Sequence, residues 1–245
     1  MAAAVGWGAL AASSLVIGAA LGLLKRWPSR WVGVVLAFGA GALISAVSFE
    51  LAAEGTRVGG AASVGVGLAL GAFSYFFASR RLDRGQDQRA SSSSQAGSGA
   101  AASSGTALAL GATLDGIPEQ LVLGIGLASG EGISASLLLA IFISNLPESI
   151  GSASEMRAAG RDSGWIMRLW VVVAVVVTIA TVAGYALADV TGDVFTAGID
   201  GFAAGALLVM LIDTMIPDAA KDAGRVAGLV SVLGFALAAG LSNLS

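Results

Sequence analysis

The sequence predicts an all-α integral membrane protein with eight transmembrane helices in a 3+2+3 arrangement built on an inverted repeat. Three observations carry that expectation. The 245 residues are 56% hydrophobic and only 12% charged, with a mean hydropathy of +0.85, a balance outside the range of soluble domains. The apolar residues gather into stretches of roughly 20, the length that crosses a hydrocarbon core of about 30 Å. The Lys and Arg residues fall almost entirely into alternate loops.

Eight stretches can be drawn, at approximately 5–24, 31–53, 59–79, 105–129, 133–156, 166–188, 195–217 and 225–244. The first has no basic segment before it and no small-residue cleavage site, so it reads as a retained helix. After the third, Arg80-Arg81-Leu82-Asp83-Arg84 leads into the low-complexity run Ser91–Gly99, and residues 82–104 read as a flexible linker within a single transmembrane domain spanning 1–245. Twelve of the 13 basic residues lie in the loops after stretches one, three, five and seven. The exception is Arg57. The positive-inside rule then places the 82–104 linker in the cytoplasm and both termini outside, in a multi-pass protein of the plasma membrane. Glu131, Asp189 and Asp193 fall in the outer loops. Trp27, Trp31 and Trp165 stand at stretch ends beside basic residues, where interfacial anchors belong.

The repeat is visible in the letters. Phe38-Gly39-Ala40-Gly41-Ala42-Leu43 in the second stretch matches Phe202-Ala203-Ala204-Gly205-Ala206-Leu207 in the seventh, and the same offset brings Glu54 onto Asp218. Two stretches five apart cross the membrane in opposite senses, so helices one to three match six to eight around a central pair. In such folds the substrate site lies near the midplane, where helices are broken.

The central pair carries that break. Leu114-Asp115-Gly116-Ile117-Pro118-Glu119 and Ile143-Ser144-Asn145-Leu146-Pro147-Glu148 read alike, 29 residues apart. A proline inside a helix removes one donor and disturbs the carbonyl four residues earlier, here Leu114 and Ile143. Asp115 and Glu119 are four apart, as are Ser144 and Glu148, with Asn145 three before Glu148, so each set projects from one face. By insertion scales three ionised carboxylates at that depth cost roughly 7–10 kcal/mol before any partner is counted. A chain that keeps them there is expected to bind a cation between the two faces. Glu54 and Asp218 mark opposite ends of a pathway, with Glu50 and Asp213 as weaker candidates on the repeat helices.

Several functions are excluded. With no Cys and no His there is no thiolate or imidazole metal site, no Ser-His triad and no HExxH zinc motif. A net charge of −3 argues against nucleic acid as a partner. No nucleotide-binding motif is present, so energy for any transport would come from ion gradients. Paired aspartates such as Asp115 and Asp213 lack the Tyr-Asp and Gly-x-Gly-Asp settings of an intramembrane protease. The two central helices supply only Phe142 as an aromatic, too little to cage an organic cation. No enzyme activity, catalytic residue or prosthetic group is expected.

On these residues the chain resembles the ZIP (Zrt/Irt-like) metal transporters over nearly its whole length. The helix-four pattern of that family, His-Asn-x-Pro-Glu-Gly, stands here as Asp115-Gly116-Ile117-Pro118-Glu119-Gln120, and its helix-five x-Pro-Glu stands as Ser144-Asn145-Leu146-Pro147-Glu148. This chain is therefore a histidine-free divergent member of the pattern. The resemblance implies transport of a divalent metal ion by alternating access, with helices one, four, five and six moving against the other four, often within a homodimer. It implies a dominant metal site of Asp115, Glu119 and Glu148, completed by Asn145 and Ser144. Relatives with a second metal position use the residue that is Gly116 here and a glutamate on helix six. The sixth stretch has no acid before its end, and Thr181 is the nearest counterpart.

The family resemblance favours zinc as the ion carried, together with other transition metals such as Mn, Fe or Cd. The all-oxygen donor set suits harder ions such as Mn, Mg or Ca. A carrier preferring a hard ion, and a metal-binding sensor or scaffold of the same fold without transport, are the alternatives.

Overall fold

In the computed structural model, which describes residues 1–93, 99–128 and 134–242, regular structure is entirely helical. Ala, Leu, Val and Gly fill nearly every position between turn signals, and backbone groups in lipid have no partners except one another, so helices follow. The order is α1 Ala2–Leu24, α2 Ser29–Ala46, a π-helical segment π1 Val47–Ala53, α3 Glu54–Gly59, α4 Ala61–Ser93, α5 Gly99–Ala128, α6 Ala135–Ala158, α7 Ser163–Val190, α8 Asp193–Met210, a second π-helical segment π2 Leu211–Met215, α9 Ile216–Ala223 and α10 Val226–Ser242.

Local chemistry sets the ends. α1 stops where Lys25 turns extended, and the Trp27 indole donates back to the Leu21 carbonyl at 3.1 Å. Pro28, with its fixed φ, opens α2. Ser134 caps α6 by accepting from the Leu137 amide at 3.1 Å, and Asp162 caps α7 by accepting from the Trp165 amide at 2.9 Å. Gly60 and Gly224 end the second and seventh rods with φ of 88° and 64°, values that a Cβ disfavours.

Six helices among the described residues are long and apolar enough to cross a membrane: 2–24, 29–59, 61–81, 135–158, 163–188 and 193–223. The chain is a multi-pass helical membrane protein. Of the eight predicted spans, the last is an apolar helix of 17 residues, about 26 Å at 1.5 Å per residue, just short of the hydrocarbon core. The fourth lies in α5, which at 30 residues has ample length. The second and seventh run to 31 residues each because helix continues beyond the π segments, through α3 and α9, past the predicted ends. Helical backbone also enters the expected linker from both sides, to Ser93 and from Gly99, since Arg, Gln, Ala and Leu propagate a helix readily. The middle of the predicted linker and Glu131 lie outside the described residues.

The helices sort into two groups. α1, α5, α6 and α7 pack on one another, and one of the two apolar clusters, centred on Leu15, Met156, Ile166 and Trp170, belongs wholly to them. α2, α4, α8, α9 and α10 form the other group, and α2 against α6 and α8 against α5 join the two. Within the second group the packing repeats itself. A Cβ on Gly41 of α2 would lie 1.8 Å from the Ser231 carbonyl of α10, and one on Gly205 of α8 would lie 2.0 Å from the Leu68 carbonyl of α4. The reciprocal crossings match as well, Gly234 on the Phe38 carbonyl and Gly71 on the Phe202 carbonyl. Gly41 and Gly205 are 164 residues apart, as are the starts of π1 and π2 at Val47 and Leu211, and Gly60 and Gly224.

Candidate functional site

The two proline-bearing helices meet where the sequence places their polar faces. The break expected at the prolines does not occur: Pro118 and Pro147 both lie inside helices, α5 and α6, that run on through them. Glu119 is 1% exposed, and both its carboxylate oxygens are engaged across the interface. Asn145 Nδ2 donates to Oε2 at 3.1 Å, and Ser144 Oγ stands 3.3 Å from Oε1, sharing its one proton between that oxygen and the Ile141 carbonyl at 3.0 Å. Ser144 and Asn145 are themselves 0% and 1% exposed. α2 closes over this point: a Cβ on Gly39 would stand only 2.9 Å from the Ser144 Cα, so the two backbones meet where no side chain fits.

Asp115, one turn before Glu119, turns to α4, where Tyr75 Oη donates to its Oδ1. Glu148 lies one turn beyond Ser144, and its Oε2 is buried without a hydrogen-bond partner. Among the described residues Asp115, Glu119 and Asp218 lie within electrostatic reach of Glu148, as Asp115, Glu119 and Glu148 do of Tyr75. Asp115, Glu119 and Glu148 thus share one region at the seam of the two helix groups. Among the described residues, however, no three acids converge tightly enough to surround one ion. Tyr75, Ser144 and Asn145 hold two of the carboxylates instead, so an ion entering the region must displace at least some of these donors.

Gln120 follows Glu119 and points about 100° away around the helix. It accepts from Thr181 Oγ1 of α7, while its Nε2 is buried without a partner. Gly116 faces Val177, whose Cγ1 is 3.0 Å from where a Cβ would stand. Thr181 and Gly116 therefore face an amide and a valine rather than a carboxylate.

Towards one end of the bundle, Glu50 and Glu54 line a cavity of about 610 Å³ with Asp193, Asp200, Thr196 and Ser134. Ser136 donates to Glu50 Oε1, and Glu50 Oε2 is buried and unpartnered. Glu54 is held by Arg57, whose Nε donates at 2.8 Å. The inner wall of the cavity is Leu51, Val122, Leu123 and Leu137, all at most 4% exposed. Leu123 is one turn from Glu119, so an apolar layer separates the cavity from the buried carboxylates. Asp218, on α9, is exposed near Glu148. Asp213 is exposed on π2 and makes no hydrogen bond or ion pair among the described residues, so it joins neither cluster.

Two participants escaped the sequence reading. Tyr75 is one of only two tyrosines, and a phenol deep in an apolar stretch signals a buried acceptor. Asp200 is an acid inside the seventh apolar stretch, as unusual there as Asp213.

A Tyr75→Phe variant tests the first of these. It removes the donor to a buried carboxylate, an omission that costs about 1–3 kcal/mol. Its melting temperature is expected to fall by several degrees in detergent, with recovery in metal-saturated protein if a cation takes over the role of the hydroxyl. Equal losses with and without metal would show Asp115 to be remote from any bound ion.

No protein-family model matches the chain. The chain is similar to a protein of Arabidopsis thaliana named "Putative zinc transporter", with 28% identity over 197 residues, or 79% of this chain. It spans 31% of that protein's length.

Proposed function

We propose that this protein carries a divalent metal ion across the membrane into the cytoplasm by alternating access around Glu119 and Glu148. The observation that carries the proposal is the buried Glu119 carboxylate, 1% exposed and gripped by Ser144 and Asn145 of a second proline-bearing helix, beside the unpartnered oxygen of Glu148. Buried acids at that depth are costly, and in membrane proteins they mark ion pathways. The similarity to a protein named as a zinc transporter, and the resemblance of the two Pro-Glu motifs to the ZIP family, support the same reading.

In this proposal the eight rods form a 3+2+3 inverted repeat, which the paired glycine crossings and π segments support. α1, α5, α6 and α7 carry the ion and move against α2, α4 and α8–α10. Cations gather in the cavity at Glu50, Glu54 and Asp200, pass the Leu51–Val122–Leu123–Leu137 layer when it opens, and displace Tyr75, Ser144 and Asn145 from the carboxylates. Asp115, Glu119, Glu148, Asn145 and Ser144 then supply oxygens, and Asp218 receives the ion on the far side. Carboxylate, amide and hydroxyl oxygens accept zinc and also suit harder ions, so the donor set leaves Mn or Mg as competitors. A homodimer is the proposed assembly.

The test is uptake into proteoliposomes of Zn, Mn, Fe, Cd, Co and Mg, comparing wild type with Glu148→Gln. At least one ion is expected to enter, and the variant to lower its rate by about ten-fold or more, the equivalent of about 1.4 kcal/mol. Metal binding without flux for every ion would replace the carrier with a sensor or scaffold.

A further inference from the structure

A second cavity, of about 270 Å³, lies at the opposite pole from the acidic one, between the ends of α1 and α6. Lys25, Arg26 and Arg157 line it with Ser154 and Gly22, and no carboxylate does. Cations at helix C-termini ordinarily answer the exposed carbonyls of the last turn. Here several of those carbonyls already have partners. The Leu21 carbonyl of α1 accepts from the Lys25 amide at 3.2 Å and from the Trp27 indole. In α6 the carbonyls of Glu155, Met156 and Arg157 accept from the amides of Ala159, Arg161 and Gly160 at 2.9–3.0 Å. None of the three cations forms an ion pair among the described residues. Three positive side chains therefore line a space large enough for several waters, with no ion-pair partner among the described residues.

The surroundings give the depth. Lys25 Nζ lies 5.7 Å from the Trp27 ring, and on the same face the Arg161 guanidinium lies 5.1 Å from the Trp165 ring. Trp27, Trp31 and Trp165 are all exposed, as tryptophans are at the headgroup level of a bilayer. Basic pockets between helices at that level suit phosphate headgroups. We propose that this pocket binds a phosphate group, held by Lys25, Arg26 and Arg157, and that its source is the headgroup of an anionic lipid. The pocket closes the α1–α6 seam, where Gly22 sits on the Ile150 backbone, so a bound headgroup ties the helix that carries Glu148 to the membrane surface. The inference is independent of metal transport.

The experiment is native mass spectrometry of the full chain in detergent with equal amounts of phosphatidylglycerol and phosphatidylcholine. Wild type is expected to retain the anionic lipid about ten-fold over the zwitterionic one. Combined Lys25→Gln, Arg26→Gln and Arg157→Gln should abolish the preference, and Arg157→Gln alone should weaken it. Combined Arg30→Gln, Arg161→Gln and Arg168→Gln, which removes as many charges from the same face, should leave it intact. Displacement of the lipid by inorganic phosphate, lost in the pocket variant, would uphold the phosphate site and assign it a soluble source. Equal loss in both triple variants, or none in the pocket variant, overturns the proposal. All the substituted side chains are exposed, and each variant is compared only when it elutes as a single species.

Discussion

Glu119→Gln is expected to lower metal flux by about two orders of magnitude while leaving the protein as stable as wild type or more so. The two halves of that result have separate causes. A glutamine keeps the shape of the side chain and one acceptor oxygen, so it can still meet Ser144 or Asn145, which stand 3.3 and 3.1 Å from the native oxygens. It also removes a buried negative charge, whose cost at that depth is about 2.5–3.5 kcal/mol. On the proposed mechanism it also removes a carboxylate ligand from the transported ion, and two orders of magnitude correspond to about 3 kcal/mol of lost interaction. An interhelical anchor would behave otherwise. Polar bonds between membrane helices contribute about 1 kcal/mol, so an anchoring role predicts a modest fall in melting temperature and flux together. Initial rates of uptake and thermal unfolding, measured on the same preparations, separate the two. A variant with near wild-type flux would remove Glu119 from the pathway. Glu119→Ala, which takes away both acceptors and strands Ser144 and Asn145, is expected to lose flux and stability alike.

The sequence exposes this region because carboxylates and prolines are rare in apolar stretches, and each occurrence stands out. Asp115, Glu119, Ser144, Asn145 and Glu148 are spaced to share a face on each helix, and the structure brings Glu119 into contact with Ser144 and Asn145. Helical spacing says nothing about which neighbour a side chain chooses, which is why Asp115 meets Tyr75 of α4, a partner 40 residues away in the chain. It is equally silent on π-helical geometry. No residue type demands the extra residue per turn, so π1 and π2 were invisible until their matching positions in the two halves were seen. The same limit applies to the acidic cavity: Glu50 and Glu54 are neighbours on one rod, but Asp200 joins them only through the packing of α8 against α3 and π1. The repeat was legible for the opposite reason. Phe-x-x-Gly-Ala-Leu recurs in α2 and α8 because each of these helices must let another backbone approach at its glycine.

That requirement yields the largest expected effect on folding. Gly41→Ala would put a methyl carbon 1.8 Å from the Ser231 carbonyl oxygen, and Gly205→Ala would put one 2.0 Å from that of Leu68. The obstacle in each case is backbone, which cannot rotate away as a side chain would. Relief requires α10 to move off α2, or α4 off α8, by more than an ångström along a seam where small residues let the helices meet. Overpacking costs roughly 1–3 kcal/mol even where side chains can adjust, so each variant is expected at or above the top of that range. Because the two glycines meet the same obstacle, a backbone carbonyl at 1.8 and 2.0 Å, Gly41→Ala and Gly205→Ala should lower the melting temperature by similar amounts. Gly65→Ala supplies the contrast: nothing lies within 4 Å of its added carbon, and alanine gains about 1 kcal/mol of helix propensity over glycine. It should be neutral or stabilising. Thermal unfolding of the three variants in one detergent checks the argument, and a Gly41→Ala protein as stable as Gly65→Ala would mean that α2 and α10 do not cross at Gly41. The comparison also bears on transport, since these crossings lie within the group that carries none of the buried Glu119, Ser144 and Asn145 cluster. On the proposed mechanism, either variant that still folds should leave metal binding intact and alter only the rate of transport.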